Sequence, residues 1–237
     1  MTFLIFFLSV PAIISLILSY PLIIKVLIKN TTISLFFILG FFSYLFIHIK
    51  RVAYKNINYF YILVHELTHA IFGIFSLNIP RRIKIKKTNG YVEFKEKTNS
   101  IIAISPYIFP LVNILLFFVF IFLNPETKKI YLNLFLFLQG FFLSFHITNT
   151  LEVMTLNQKD FKHTGGRTAS ILLILTLNLL IIAIFSLIIL SKTEHIIPFL
   201  KRTLEFYIMI TKKTFVFFIN LFSLVFRKWY LNCLDFF

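Results

Sequence analysis

Long uncharged apolar runs separated by short basic stretches make up most of this chain. Phe3–Ile24, Thr98–Leu123, Ile130–Leu151 and Thr168–Ser191 each exceed the ~20 residues that carry a helix across ~30 Å of hydrocarbon. At least four helices are therefore expected to span a membrane. The first run contains Pro11 and Pro21, which a lipid-buried helix tolerates when neighbouring groups satisfy the freed backbone, and it closes at Lys25 and Lys29. Thr32–Ile49 predicts a shorter second span of 18 residues, ending in the interfacial His48 and in Lys50, Arg51 and Lys55. Ile57–Ile79 has the length and apolarity of a third span but carries His65, Glu66 and His69 in its interior. The fold class that results is an all-α, polytopic transmembrane helix bundle of about six spans, with one short membrane-associated β-hairpin.

The hairpin is predicted where the period changes. From Pro80 to Lys95 polar and apolar residues alternate on both sides of Asn89-Gly90, the pair that favours a two-residue turn. Ile83, Ile85, Tyr91 or Val92, and Phe94 form its expected apolar face, with the lysines toward water or headgroups. Beyond it, Ser105-Pro106-Tyr107-Ile108-Phe109-Pro110 interrupts a span with two prolines, which predicts a kinked or broken helix lining an enclosed cavity. Ile130–Leu151 returns with His146, followed by Glu152 and a polar loop from Asn157 to Gly166. In the tail, Thr214–Phe226 is 13 residues, about 20 Å of helix, too short to cross and expected to lie at the interface. Three segments follow from this pattern: two N-terminal helices over 1–56, a core over 57–191 with the hairpin at 80–96, and a basic amphipathic tail over 192–237.

Composition supports the same class. Of 237 residues, 59% are hydrophobic, 33 are Phe and only 14% are charged, beyond the usage of soluble domains. The formal charge of +15 lies between the apolar runs, which is the pattern of membrane-flanking charge and not of a nucleic-acid surface. Strict alternation of six spans groups Lys25 and Lys29 with the hairpin cations and with Lys159, Lys162 and Arg167, and this richer side is expected to be cytoplasmic. One cysteine, Cys233, excludes an intrachain disulfide framework and a Cys-rich zinc module, so any metal must be held by His and carboxylate.

The candidate chemistry is concentrated in Val64-His65-Glu66-Leu67-Thr68-His69-Ala70. Residues at i and i+4 share a helix face, so His65 and His69 can hold one metal ion, while Glu66 stands beside a water that the metal activates. Ionisable groups in an apolar run are costly without partners, by roughly 2.5–3.5 kcal/mol each on insertion scales for charged types, so function is the default inference. The third ligand must come from a small set. Glu93, Glu96, Glu126, Glu194, Glu205 and Asp235 fall in the hairpin, a turn or the tail. Asp160, in the loop after a returning span, is the preferred ligand, His146 is the alternative, and Glu152 and His163 read as supporting or interfacial groups.

An HExxH inside an apolar helix, a basic hairpin, a proline-interrupted span and an acidic residue after a later span together resemble the site-2 protease family of intramembrane zinc metalloproteases. The resemblance covers roughly Ile57 to Gly166 and looks closest to a compact bacterial branch. It implies Zn²⁺ at His65 and His69, Glu66 as general base and acid, and hydrolysis of a peptide bond in a membrane-anchored protein substrate. It further implies that the hairpin presents substrate as an added strand, with Asn89, Gly90, Tyr91 and Val92 as candidate contacts. The bacterial cytoplasmic membrane is the expected location, with the lipid bilayer itself and no nucleic acid as partner. The family's third-ligand motif is Asp-Gly, often after Asn-Pro; here Asp160 is followed by Phe161 and Lys162, and Asn124-Pro125 has no Asp-Gly after it. A non-enzymatic membrane scaffold or partner subunit with a degenerate metal site is the alternative reading, and a metal transporter using the same side chains is a third.

Overall fold

Eight α-helices and one antiparallel hairpin follow one another in the computed structural model, which describes residues 2–53, 59–86, 89–156, 158–189 and 193–234. Lys55, Ile57, Asn157, Ser191 and Asp235, and Lys87 and Thr88 within the predicted hairpin, lie outside the described residues. Helix α1 (Thr2–Lys29) is followed by α2 (Thr31–Ala53), α3 (Tyr59–Phe75), strands β1 (Pro80–Ile85) and β2 (Gly90–Phe94), α4 (Ser100–Ile108), α5 (Leu111–Ile121), α6 (Pro125–Thr155), α7 (Arg167–Ile189) and α8 (Ile196–Leu234). A 3₁₀ turn, Asp160–Thr164, joins α6 to α7.

Four of these helices are long and apolar enough to cross a membrane, and α4 with α5, bent by 71°, make a fifth if counted as one broken span. The expected sixth is missing from that set. Helix α3 has 17 residues, about 25 Å at 1.5 Å per residue, and falls short of the ~30 Å core.

Side-chain pairs give the helix directions. Gly40 and Gly140 meet where α2 crosses α6: a Cβ on either would overlap the backbone carbonyl of Phe137 or Phe37, so only glycine permits this approach. Further along, Asn149 Nδ2 donates to the Tyr44 hydroxyl at 2.9 Å, and at the C-terminal ends Arg51 pairs with Glu152. Contacts that advance together in sequence mean that α2 and α6 run parallel. Strict alternation of six spans required them to be antiparallel. The difference arises because α3 and the hairpin leave and return at one end, so the Arg51 end carries the hairpin, Asp160 and Arg167, opposite Lys29 and Lys128.

The break between α4 and α5 follows from its prolines. Pro106 lacks the N–H that would bond the Ile102 carbonyl, and Pro110 lacks the one that would bond the carbonyl of Pro106. Phe109 N–H still reaches Ser105 O at 2.9 Å, but the next helix begins in a new direction. Beyond the break, Asn113 Nδ2 donates to Gln139 O at 2.7 Å and Gln139 Nε2 to Asn113 O at 3.1 Å, so two buried amides hold α5 to α6. Helix α1 runs beside α7, with the Tyr20 hydroxyl on Leu179 O at 2.6 Å. Phe199 of α8 is buried in the same layer with Leu16, Ile23 and Leu187. The tail that was expected to hold a short interfacial segment is one helix of 39 residues.

The hairpin register is Ile85↔Gly90, Lys84↔Tyr91, Ile83↔Val92 and Arg82↔Glu93, with an irregularity between Pro80 and Arg82. Asn89-Gly90 is therefore not the two-residue turn. Lys86 N–H bonds Asn89 O at 2.8 Å, and Gly90 is the first residue of β2. Gly90, Val92 and Phe94 point inward and Tyr91 and Glu93 outward; Ile83, expected on the apolar face, is 46% exposed. What fixes this register is packing on α3. A Cβ on Gly73 would overlap the Phe94 ring, and one on Gly90 would stand 2.5 Å from Glu66 Cγ.

Candidate metal centre

His65 and His69 lie one turn apart on α3, and their Nε2 atoms are 3.2 Å from each other. Asp160, first residue of the 3₁₀ turn after α6, brings Oδ2 to 3.7 Å from His65 Nε2 and 3.6 Å from His69 Nε2. A triangle with these edges has a point about 2.0 Å from all three atoms, the length of a metal bond to imidazole nitrogen or carboxylate oxygen. This group can therefore hold a metal ion with all three donors at bonding distance.

The other atoms of these side chains are held by partners that aim them. His69 Nδ1 is 2.8 Å from Ile102 O, and since a carbonyl only accepts, Nδ1 carries the proton and Nε2 keeps its lone pair for the metal. That carbonyl is available because Pro106 cannot bond it. His65 Nδ1 is 3.2 Å from the Tyr61 hydroxyl, and a proton donated from Nδ1 to that oxygen leaves His65 Nε2 in the same state. The Tyr107 hydroxyl donates to Asp160 Oδ2 at 2.7 Å, and its ring stands edge-on to His65. The hydrogen bond from Tyr107 favours the ionised Asp160 carboxylate, which is the form a metal needs.

Glu66 is 7% exposed and faces Gly90, and among the described residues no side chain donates a hydrogen bond to its carboxylate. It opens on a cleft of about 640 Å³ that also exposes His65, His69 and Asp160. Asn89, Gly90, Tyr91 and Val92, the four candidate contacts of the hairpin, all line this cleft, together with Phe94, Thr98, Lys86, Gln158 and Lys159.

His146, the alternative ligand, lies elsewhere. Its Nε2 is 3.0 Å from Asn178 Oδ1, and it also hydrogen-bonds the backbone of Ile108. Asn178 Nδ2 donates to Tyr107 O at 2.7 Å. His146 and Asn178 therefore take carbonyls at the end of α4 that the break leaves without helical partners. They hold the broken helix that carries Tyr107 and the Ile102 carbonyl. Glu152 pairs with Arg51 and has His48 Nε2 at 3.9 Å, while the His163 carbonyl accepts from Ser100 Oγ at 2.5 Å, tying the 3₁₀ turn to the start of α4.

Tyr61, Tyr107, Ile102 and Asn178 did not stand out in the sequence. Tyr61 was findable, since it is four residues before His65 on the same face. The Ile102 carbonyl was implied by Pro106, four residues on. Comparison with protein-family models, with curated proteins and with solved structures finds no match, so the reading of this centre rests on its own geometry.

Proposed function

We propose that this protein is an intramembrane zinc metalloprotease, similar in plan to site-2 proteases, that hydrolyses a peptide bond in a membrane-anchored protein substrate. The observation that carries the proposal is Glu66: a buried carboxylate with no hydrogen-bond donor among the described residues, beside a three-donor metal group, on a cleft walled by a β-strand. Two imidazoles and one carboxylate suit Zn²⁺, and three protein donors leave a position open for chemistry. When bound, zinc supplies Lewis acidity, lowering the pKa of a coordinated water toward ~7 and polarising a carbonyl.

The protein's own groups do the rest. Glu66 takes the proton of the attacking water and returns it to the leaving amine, so one carboxylate acts as base and then as acid. The Ile102 carbonyl, the Tyr61 hydroxyl and the Tyr107 hydroxyl fix the three ligands, so no reorganisation is needed as charge develops. Gly90 lets the backbone of β2 lie against Glu66 where a side chain would displace it. Among the described residues β2 pairs with β1 alone, so its second edge is free to receive an extended substrate segment as an added strand. The long apolar helices support a location in a bilayer, and the excess of cations at the end that holds the site supports the cytoplasmic side of a bacterial membrane.

The test is metal content and its consequence. Protein purified in detergent should carry one zinc per chain by mass spectrometry, lose cleavage of a membrane-anchored reporter on chelation and regain it with zinc. Protein without stoichiometric metal that still cleaves would overturn the proposal.

A further inference from the structure

The cleft has both apolar and cationic lining: Val92 and Phe94 of β2, with Lys86 at the hairpin tip and Lys159 immediately before Asp160. Glu66 and Asp160 are the cleft's only carboxylates among the described residues, and both belong to the metal chemistry. Neither lysine has a carboxylate within ion-pairing distance among the described residues. A general excess of cations at this end is expected of a cytoplasmic membrane face, and Arg81, Arg82 and Lys95 on the exposed side of the hairpin fit that account. It does not require two cations lining the same cleft as the metal group.

We propose, resting on the protease reading above, that the substrate class is a membrane-anchored segment whose apolar run ends in acidic residues, Asp or Glu, beside the scissile bond. The apolar part packs on Val92 and Phe94, and the carboxylates lie between Lys86 and Lys159. Two exposed cations lining one cleft raise the local concentration of an anionic segment, favour one orientation of it and repel a basic one. Each carboxylate placed near an exposed ammonium contributes up to about fivefold in affinity, so two pairs, with the repulsion of a basic segment added, give about tenfold between acidic and basic versions of one segment.

The experiment uses the full chain with Glu66→Ala in phosphatidylcholine nanodiscs, so that substrate is bound and not consumed. Fluorescence anisotropy would compare two peptides with the same apolar run, one ending in Asp and Glu and the other in Lys and Asn. Tenfold or tighter binding of the acidic peptide, reduced in 0.5 M salt and lost in Lys86→Gln/Lys159→Gln, is the expected result, with Lys86→Glu/Lys159→Glu reversing the order. Equal binding of both peptides overturns the inference, and so does a preference that survives both lysine pairs, because lipid-facing cations would then be its source. Zinc content of each variant, measured on the same samples, shows that the centre is intact. The protease reading fails separately, if chain with Glu66 intact cuts neither peptide in its reporter form.

Discussion

Glu66 and Gly90 show how closely the centre is fitted at the scale of single residues. An added methyl at position 90 would stand 2.5 Å from Glu66 Cγ and 2.9 Å from Oε1, so Gly90→Ala must move the carboxylate. Displacement by about 1 Å costs on the order of 100-fold in rate, so this variant should lose roughly that much cleavage while keeping its metal, as read by kinetics and mass spectrometry together. Tyr107→Phe removes the hydroxyl that holds Asp160 and should weaken metal affinity by about 10–100-fold without unfolding the chain, measured by competition with a chromogenic chelator. Metal content also separates the candidate ligands. Asp160→Ala should empty the centre, whereas His146→Ala should keep metal at lower affinity, since His146 acts through α4. His65, Glu66 and His69 were legible in the sequence because helical spacing alone places them together. Asp160 was legible only by elimination, since a loop residue reaches α3 through tertiary packing that no local pattern encodes.

At the scale of elements, the proline-broken span carries most of the support. The sequence announced a break at Ser105–Pro110, and the structure shows its use: Pro106 frees the Ile102 carbonyl for His69, and the broken end is held by His146 and Asn178. Pro106→Ala restores an N–H that competes for Ile102 O. It should straighten and tighten α4 yet lower metal affinity by about tenfold, a combination that chelator competition and thermal melting in detergent read together. The hairpin was visible in its alternation, but its register was not, because contacts with Gly73 and Glu66 override the local turn preference of Asn89-Gly90. Helix α3 ends in a Schellman turn, with Asn78 N–H on Gly73 O at 2.8 Å, and Leu77 takes the left-handed position at φ 58°. With Leu77 89% exposed, Leu77→Gly should relieve about 1 kcal/mol of strain and raise the melting temperature.

For the whole molecule, the decisive feature is that α3 and the hairpin enter and leave at one end of the bundle. Hydropathy counted α3 as a span because it is apolar apart from the His65–His69 turn; its 17 residues leave it outside the candidate spans, and the parallel run of α2 beside α6 departs from strict alternation. Cysteines placed at Lys50, Asn89 and Gln158 should therefore react together with a membrane-impermeant reagent from one side, and one at Lys128 from the other. The central claim is metal-dependent proteolysis with Glu66 as the proton carrier. Its most direct test is cleavage of a membrane-anchored reporter by the wild-type chain and by Glu66→Gln, with zinc measured on the same preparations. Wild type should cleave, and Glu66→Gln should keep its zinc while losing at least 100-fold in rate. Cleavage by Glu66→Gln at the wild-type rate, with zinc bound in both, would contradict the account.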